Sequence, residues 1–300
     1  MVGKGAASGD IPAGREGAVV IIALLTGAAV WGLVWYPYRA LEVAGFSPTT
    51  STALTYVISL IAGIALFGPR LGELRQHWGA ALLIALTAGW TNLAYVLGMV
   101  GGEVMRVLLL FYLAPLWTVI LARILLGERL TRRSGALVAL SLTGALIMLW
   151  PETGLPLPAN AAEWLGMSGG MSFAALNVLS KGADRVSIET KSLATWGGVL
   201  IVSAIWLALG GGVWAVPAAI GWPEGLVLLL LGVVMFAITV IIQHGIARVP
   251  ANTAIVIFLF ELVAGAVSAA LLSDETLRPQ EWLGGLLIVG ASLVAAARRT

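Results

Sequence analysis

Glu261 is the deepest charged side chain in the sequence, ten residues into the apolar run 252–272 and about 13 Å from its start at 1.5 Å per helical residue. A carboxylate near the centre of a bilayer costs ~3 kcal/mol on insertion scales, so it must face a partner, face a wet cavity or be protonated. Three roles stay open: it accepts a substrate ammonium group, it carries a coupling proton, or it is a structural hydrogen-bonder. The other residues whose types suit a site are Trp90, Asn92 and Tyr95 on one apolar run and Tyr112 and Trp117 on the next. Phe173, Asn177 and Gln243 lie on later runs. Amide side chains in hydrocarbon need partners, which neighbouring helices supply as readily as a ligand does. Taken together, rings with a few orienting polar groups suit an amphipathic small molecule with an aromatic body and a zwitterionic head. Rings alone would mean little, since polytopic membrane proteins of every function carry Trp and Tyr.

Enzyme chemistry has no purchase in this sequence. HExxH, GxSxG and P-loop motifs are missing, and His77 and His244 lie far apart with no Cys or Asp cluster near either. His244 reads as hydrogen-bonded scaffolding or as a proton relay. With no cysteine in the chain, disulfides and thiolate metal sites are excluded. No Lys or Arg falls in the interior of an apolar run, so a phosphate cradle is not expected either. The expectation is a non-enzyme without catalytic residues, metal or cofactor.

The elements that hold these residues are membrane helices. Of 300 residues 59% are hydrophobic and 11% charged, against roughly a quarter charged in soluble domains, and mean hydropathy is +0.97. Ten apolar runs are near the ~20 residues that span a bilayer: 17–38, 48–68, 77–98, 104–126, 134–150, 162–180, 187–209, 224–246, 252–272 and 281–298. They are continuously apolar, not alternating, which selects helices over a barrel. With the N-terminus in the cytoplasm, 14 of the 17 Lys and Arg residues fall on the inner side, and only Arg39, Arg106 and Arg278 fall outside. That bias orients the chain with both termini cytoplasmic. The first run is too long for a cleavable signal, so residues 1–16 read as a disordered tail. Residues 151–161, with three prolines and no basic residue, read as an external linker between 17–150 and 162–298. Basic residues scattered over short loops point to a lipid bilayer and not to nucleic acid.

Local features refine the picture. Trp31, Trp35 and Tyr38 share one helix face near the outer surface, as an aromatic belt or as the wall of a cavity mouth. Pro115 should kink the fourth helix, because it removes an i to i−4 bond. Gly166 and Gly170 form a small-xxx-small pair for close helix approach, and Gly284, Gly285 and Gly290 read as packing positions on the last helix.

Shifted by 147 positions, Gly98–Leu130 meets Gly245–Leu277 without a gap, Phe111 falling on Phe258, Pro115 on Leu262 and Glu128 on Glu275. Six identities in 33 positions are close to what two Leu/Ala/Val-rich segments share by composition. The common order of glycine, apolar run, Glu and Leu carries the inference of an internal repeat. In this unit, Pro115 and the closing Gly127-Glu128-Arg129-Leu130, with its counterpart Asp274-Glu275-Thr276-Leu277, resemble the EamA-type members of the drug/metabolite transporter superfamily. The likeness spans residues 17–298, and residues 105–130 are similar to the bacterial aromatic amino acid exporter group. It implies ten helices in two five-helix repeats. An odd number per repeat makes them inverted, a layout suited to alternating access. Family members commonly have Glu-Pro in helix nine where this chain has Glu261-Leu262, which leaves the second kink in doubt.

The function expected is export of aromatic and other neutral amino acids across the cell inner membrane by a monomer. Trp90, Tyr95 and Phe173 would stack on the ring, while Asn92, Asn177, Gln243 and Glu261 would hold the head group. Export of cationic or lipophilic drugs, drawn by Glu261, is the alternative within the same class. A non-transporting scaffold or receptor is the alternative of another class.

Overall fold

In a bilayer core no water is available to the backbone, so an apolar chain satisfies its amides within itself. The computed structural model describes residues 15–128, 130–150, 158–272 and 278–296, and among these no residue is in a strand. Most of the tail and of the linker, as well as Glu275, lie outside the described residues.

The helices are α1 (Arg15–Leu33), α2 (Trp35–Val43), α3 (Pro48–Phe67), α4 (Leu71–Gln76), α5 (Trp78–Gly101), α6 (Val104–Phe111) and α7 (Ala114–Leu121). They continue as α8 (Arg132–Leu149), α9 (Ala161–Gly182), α10 (Ile188–Ala208), α11 (Trp222–Ile246), α12 (Ala251–Phe258), α13 (Phe260–Leu272) and α14 (Pro279–Ala296). Six stretches are long and apolar enough to cross a membrane: Glu16–Val43, Pro48–Gln76, Trp78–Gly101, Ile188–Ala208, Trp222–Ile246 and Ala251–Leu272. Shorter apolar pieces are Ala114–Leu126, Ser134–Ile147 and Trp282–Ala291.

Four helices start where the sequence offers a side-chain cap. Ser47, Thr131, Asn160 and Ser187 each accept the backbone N–H three residues on, at 3.0–3.2 Å. These caps satisfy donors that a helix start leaves orphaned.

Two breaks fall at positions matched by the 147-residue shift. The chain between α6 and α7 loses the helical pattern at Tyr112 and Leu113, two residues before Pro115, which has no N–H to offer Phe111. Between α12 and α13 the break is at Leu259, with no proline present. The Leu262 N–H turns instead to the Leu259 carbonyl at 3.1 Å, a tighter i to i−3 bond. The doubt over a second interruption is thus resolved in favour of one.

Glycines set how closely the helices cross. A Cβ on Gly170 of α9 would lie 2.0 Å from the Phe111 carbonyl oxygen, and one on Gly198 of α10 would lie 2.1 Å from that of Ala85 on α5. Gly166 meets Val107 in the same way as Gly170 meets Phe111, so the small-residue pair does seat α9 on α6. Gly290, by contrast, has nothing within 4 Å of a Cβ. The contacts trade places between the two parts of the chain: α9 packs on α6 and α7, while α1 packs on α12 and α13, and α8 packs on α14.

Candidate functional site

At the two breaks the bundle does not close on itself. A cavity of about 60 Å³ lies there, several times the ~10–15 Å³ that admits one water. Its walls come from α1, α5, α6, α9, α10, α11, α12 and α13. Five lining rings run in an unbroken series. Trp31 meets Tyr95 edge-on at 5.2 Å, Tyr95 meets Phe111 at 5.4 Å, Phe111 meets Phe173 at 5.5 Å, and Phe173 meets Phe258 at 5.4 Å. Offset and edge contacts of this kind are the preferred geometry of aromatic pairs.

Glu261 faces the same space from the first turn of α13. Its side chain is 3% exposed. Both the Tyr95 and Tyr112 hydroxyls stand against this carboxylate. The Tyr95 hydroxyl donates to the Trp31 carbonyl at 3.0 Å. Among the described residues Glu261 Oε1 and the Tyr112 hydroxyl have no hydrogen-bond partner at ordinary geometry.

Six of the nine residues singled out from sequence line this cavity: Asn92, Tyr95, Phe173, Asn177, Gln243 and Glu261. They do not offer the same chemistry. Asn92 is spent at both ends, since its Oδ1 accepts from the Tyr56 hydroxyl and its Nδ2 donates to the Ala88 carbonyl at 2.7 Å. Asn177 donates Nδ2 to the Phe173 carbonyl at 3.0 Å and leaves Oδ1 without a partner. Gln243 reaches Ser180 Oγ with Nε2 at 3.5 Å, and its Oε1 likewise has none.

The remaining three stand elsewhere. Trp90 donates to Ser168 Oγ at 3.2 Å and meets Trp206 edge-on, so it ties α5 to α9 and α10. Tyr112 is buried behind Phe111, outside the lining but against Glu261. Trp117 is outside the lining and packs against the apolar cluster of Leu24 and Val138, which also takes in Phe258 and Ile246 of the cavity wall. Among the described residues no three His, Cys, Asp or Glu side chains converge as metal ligands would.

Comparison with known proteins agrees with this arrangement. The family model of the EamA-like transporter family matches twice, over residues 18–150 and 160–297. The chain belongs to the EamA-like transporter family. It is 26% identical over 212 residues to an uncharacterised transporter of Archaeoglobus fulgidus, which covers 68% of this chain and 72% of that protein. It is 24% identical over 276 residues to protein RarD of Streptomyces exfoliatus, covering 88% and 84% respectively. A crystal structure of a protein with 22% identity superposes with a TM-score of 0.69 over 93% of this chain and 99% of the other, which places the fold. The protein is therefore a multi-pass membrane transporter.

Polar contacts join the two parts of this EamA-like transporter at both ends of the bundle. At one end Arg106 of α6 grips Glu163 of α9 with two hydrogen bonds, at 2.8 and 3.1 Å, the fork geometry that suits a carboxylate. At the other end Glu128 accepts the backbone N–H of Ala251 at 3.2 Å and Asn252 Nδ2 at 3.0 Å, which caps α12. Gly127, at φ 66°, turns the chain so that Glu128 points there. Nearby, Glu73 of α4 binds the Ser187 backbone N–H and the Thr190 hydroxyl, each at 2.7 Å, and so holds the start of α10.

Sequence reasoning missed three participants in this region. Phe111 and Phe258 were visible as one of the few identities of the repeat and were not promoted to the site. Lys191 closes the basic turn 181–191 and carries no sequence signal of burial. The structure leaves it 3% exposed, with Nζ donating to the Ser180 carbonyl at 2.6 Å, directly behind the Gln243 contact.

Proposed function

We propose that this transporter exports aromatic and other neutral amino acids across the cell inner membrane by alternating access, as a monomer. The reading has ten crossings in two inverted five-helix repeats, with both termini in the cytoplasm. The observation that carries it is the cavity itself: a series of five rings, with Glu261, Asn177 and Gln243 presenting unpaired oxygens to the same space. The rings supply apolar area for a substrate side chain, and the oxygens suit its ammonium group. The exchange of contacts, with α9 on α6 and α1 on α13, supports a two-fold relation between the halves. So does a family model that matches each half separately. The charge bias of the loops supports the orientation.

The test is counterflow in proteoliposomes with labelled Phe or Trp, with and without a pH gradient. Net uptake of labelled substrate driven by an imposed pH gradient assigns proton coupling, and net uptake indifferent to it assigns facilitated diffusion. Failure across a broad amino acid panel removes the substrate assignment. Glu261→Gln should depress exchange at least tenfold; unchanged flux and stability would leave Glu261 a structural group.

A second reading, export of cationic lipophilic compounds, is favoured by one observation. The cavity wall contains one acidic side chain and no Lys, Arg or His among the described residues. Competition of a quaternary ammonium ion against labelled Trp separates the two readings.

A further inference from the structure

The unpaired groups of the cavity are of one kind. Asn177 Oδ1 comes from α9, Gln243 Oε1 from α11 and Glu261 Oε1 from α13, and all three side chains are at most 4% exposed. Each is an acceptor, Gln243 with its amide set so that Nε2 faces Ser180 Oγ. For Asn177 the assignment is fixed by the Phe173 carbonyl, which its nitrogen must face as donor.

The hydroxyls of the cavity wall are committed elsewhere, Tyr95 to the Trp31 carbonyl, while the unpaired Tyr112 hydroxyl stands behind the wall against Glu261. Thr91, Thr195 and Thr239 each donate to the carbonyl four residues back, at 2.7, 3.0 and 2.7 Å, a common way for a helix to consume a hydroxyl. The two lysines at this end of the bundle are committed as well. Lys181 Nζ donates to the Ala247 carbonyl and Lys191 Nζ to the Ser180 carbonyl.

Three buried acceptors around one small space match a group with three N–H donors and a positive charge. A carboxylate entering the same space would lose its hydration beside Glu261 and meet no cation in return, an unfavourable exchange. A trimethylated nitrogen would keep the charge but leave all three oxygens unpaired, which is the feature that makes hydrogen-bonding sites discriminate strongly.

We infer that the cavity reads a primary ammonium group beside an aromatic body and does not read a carboxylate, so that arylalkylamines are bound and carried at least as well as the corresponding amino acids. The inference rests on the proposed ammonium-binding role of this cavity but not on the amino acid assignment.

Isothermal titration of the purified full-length chain in nanodiscs uses four probes: phenethylamine, its N,N,N-trimethyl derivative, L-Phe and 3-phenylpropionate. The expected result is that phenethylamine binds at least as tightly as L-Phe, the trimethyl derivative at least tenfold more weakly, and 3-phenylpropionate not at all. Phenethylamine uptake into proteoliposomes should accompany its binding. Asn177→Leu should weaken phenethylamine at least fivefold and leave the trimethyl derivative unchanged. Gln243→Met serves the same purpose if Asn177→Leu does not fold.

The outcomes separate this inference from the amino acid reading. Binding of phenethylamine without L-Phe removes the amino acid assignment and supports the inference. L-Phe binding tenfold tighter than phenethylamine shows that the carboxylate is read and overturns the inference while keeping the amino acid assignment. A trimethyl derivative within threefold of phenethylamine, or tight binding of 3-phenylpropionate, overturns it as well. Absence of binding by all four overturns both.

Discussion

Replacing Gly198 by alanine, compared with the same replacement at its neighbour Gly197, isolates how tightly α10 is seated on α5. A methyl group on Gly198 would stand 2.1 Å from the Ala85 carbonyl oxygen and 2.5 Å from the carbonyl carbon and Cα of the same residue. These are backbone atoms, with no rotamer to move them aside. Reaching the 3.4 Å of ordinary contact requires the helices to part by about 1.3 Å. A methyl group on Gly197 meets nothing within 4 Å. Both variants gain the helix propensity of alanine, about 0.8–1 kcal/mol. Only Gly198→Ala incurs overpacking, which costs about 1–3 kcal/mol and falls at the upper end where backbone is displaced. The net is a loss of about 2 kcal/mol for Gly198→Ala and a gain of up to about 1 kcal/mol for Gly197→Ala. Since Thr195 on α10 and Thr91 and Asn92 on α5 line the cavity, parting these helices should also slow exchange. The chain has no cysteine, so thiol-reactive unfolding dyes are silent; heating in detergent is followed by the fluorescence of its 12 tryptophans. A midpoint for Gly198→Ala equal to or above that of Gly197→Ala would refute the close crossing.

Three further outcomes are open to the same assay. Arg106→Ala should cost about 1–3 kcal/mol, below the range for a fully stranded buried charge, because Glu163 keeps the Ala159 N–H at 2.8 Å and Asn160 Nδ2 at 2.9 Å. Combining it with Glu163→Gln should recover part of the loss, and strict additivity would show that the pair is not coupled. Glu128→Ala uncaps α12 and should cost about 0.5–2 kcal/mol. Glu128→Gln, which keeps an oxygen for Ala251, should lose less than half of that, and equal losses would deny the cap. Leu262→Pro removes one neutral hydrogen bond at an existing break, so its backbone cost should be about 1 kcal/mol and not the ~3 kcal/mol of proline in an intact helix. Leu262→Ala controls for the lost side chain, and a gap above about 3 kcal/mol between the two would mean that the helix is continuous there.

The helices were legible because hydropathy is a local property. The apolar runs at 48–68 and 224–246 anticipate α3 at Pro48–Phe67 and α11 at Trp222–Ile246, while the caps Ser47, Thr131, Asn160 and Ser187 emerge only in the structure. The site was legible as a set of residue types but not as chemistry. Asn92 and Asn177 look equivalent in sequence, yet Tyr56 and Ala88 consume both ends of one while the oxygen of the other stays unpaired. Those partners are many residues or a helical turn away, and no spacing rule reveals them. The burial of Lys191 is illegible for a related reason. Its loop is basic and polar, but Glu73 pins the first turn of α10 into the bundle and carries the lysine inside. The break at Leu259 had no local signal; what accompanies it is close approach of α1, where a Cβ on Gly32 would lie 2.7 Å from the Glu261 carbonyl oxygen.

That last contact lies at Glu261, the one acid in the cavity wall among the described residues. The interrupted helices restart at matched positions, α7 at Ala114 and α13 at Phe260, and of the two α13 contributes to the cavity wall. Under the 147-residue shift Glu261 falls on Ala114, so only one restart carries a carboxylate. With alanine at one break and glutamate at the other, both halves carry an interruption and one carries a charge. On the proposed inverted arrangement, a single ammonium group therefore has one counter-charge, reached through movement of either half.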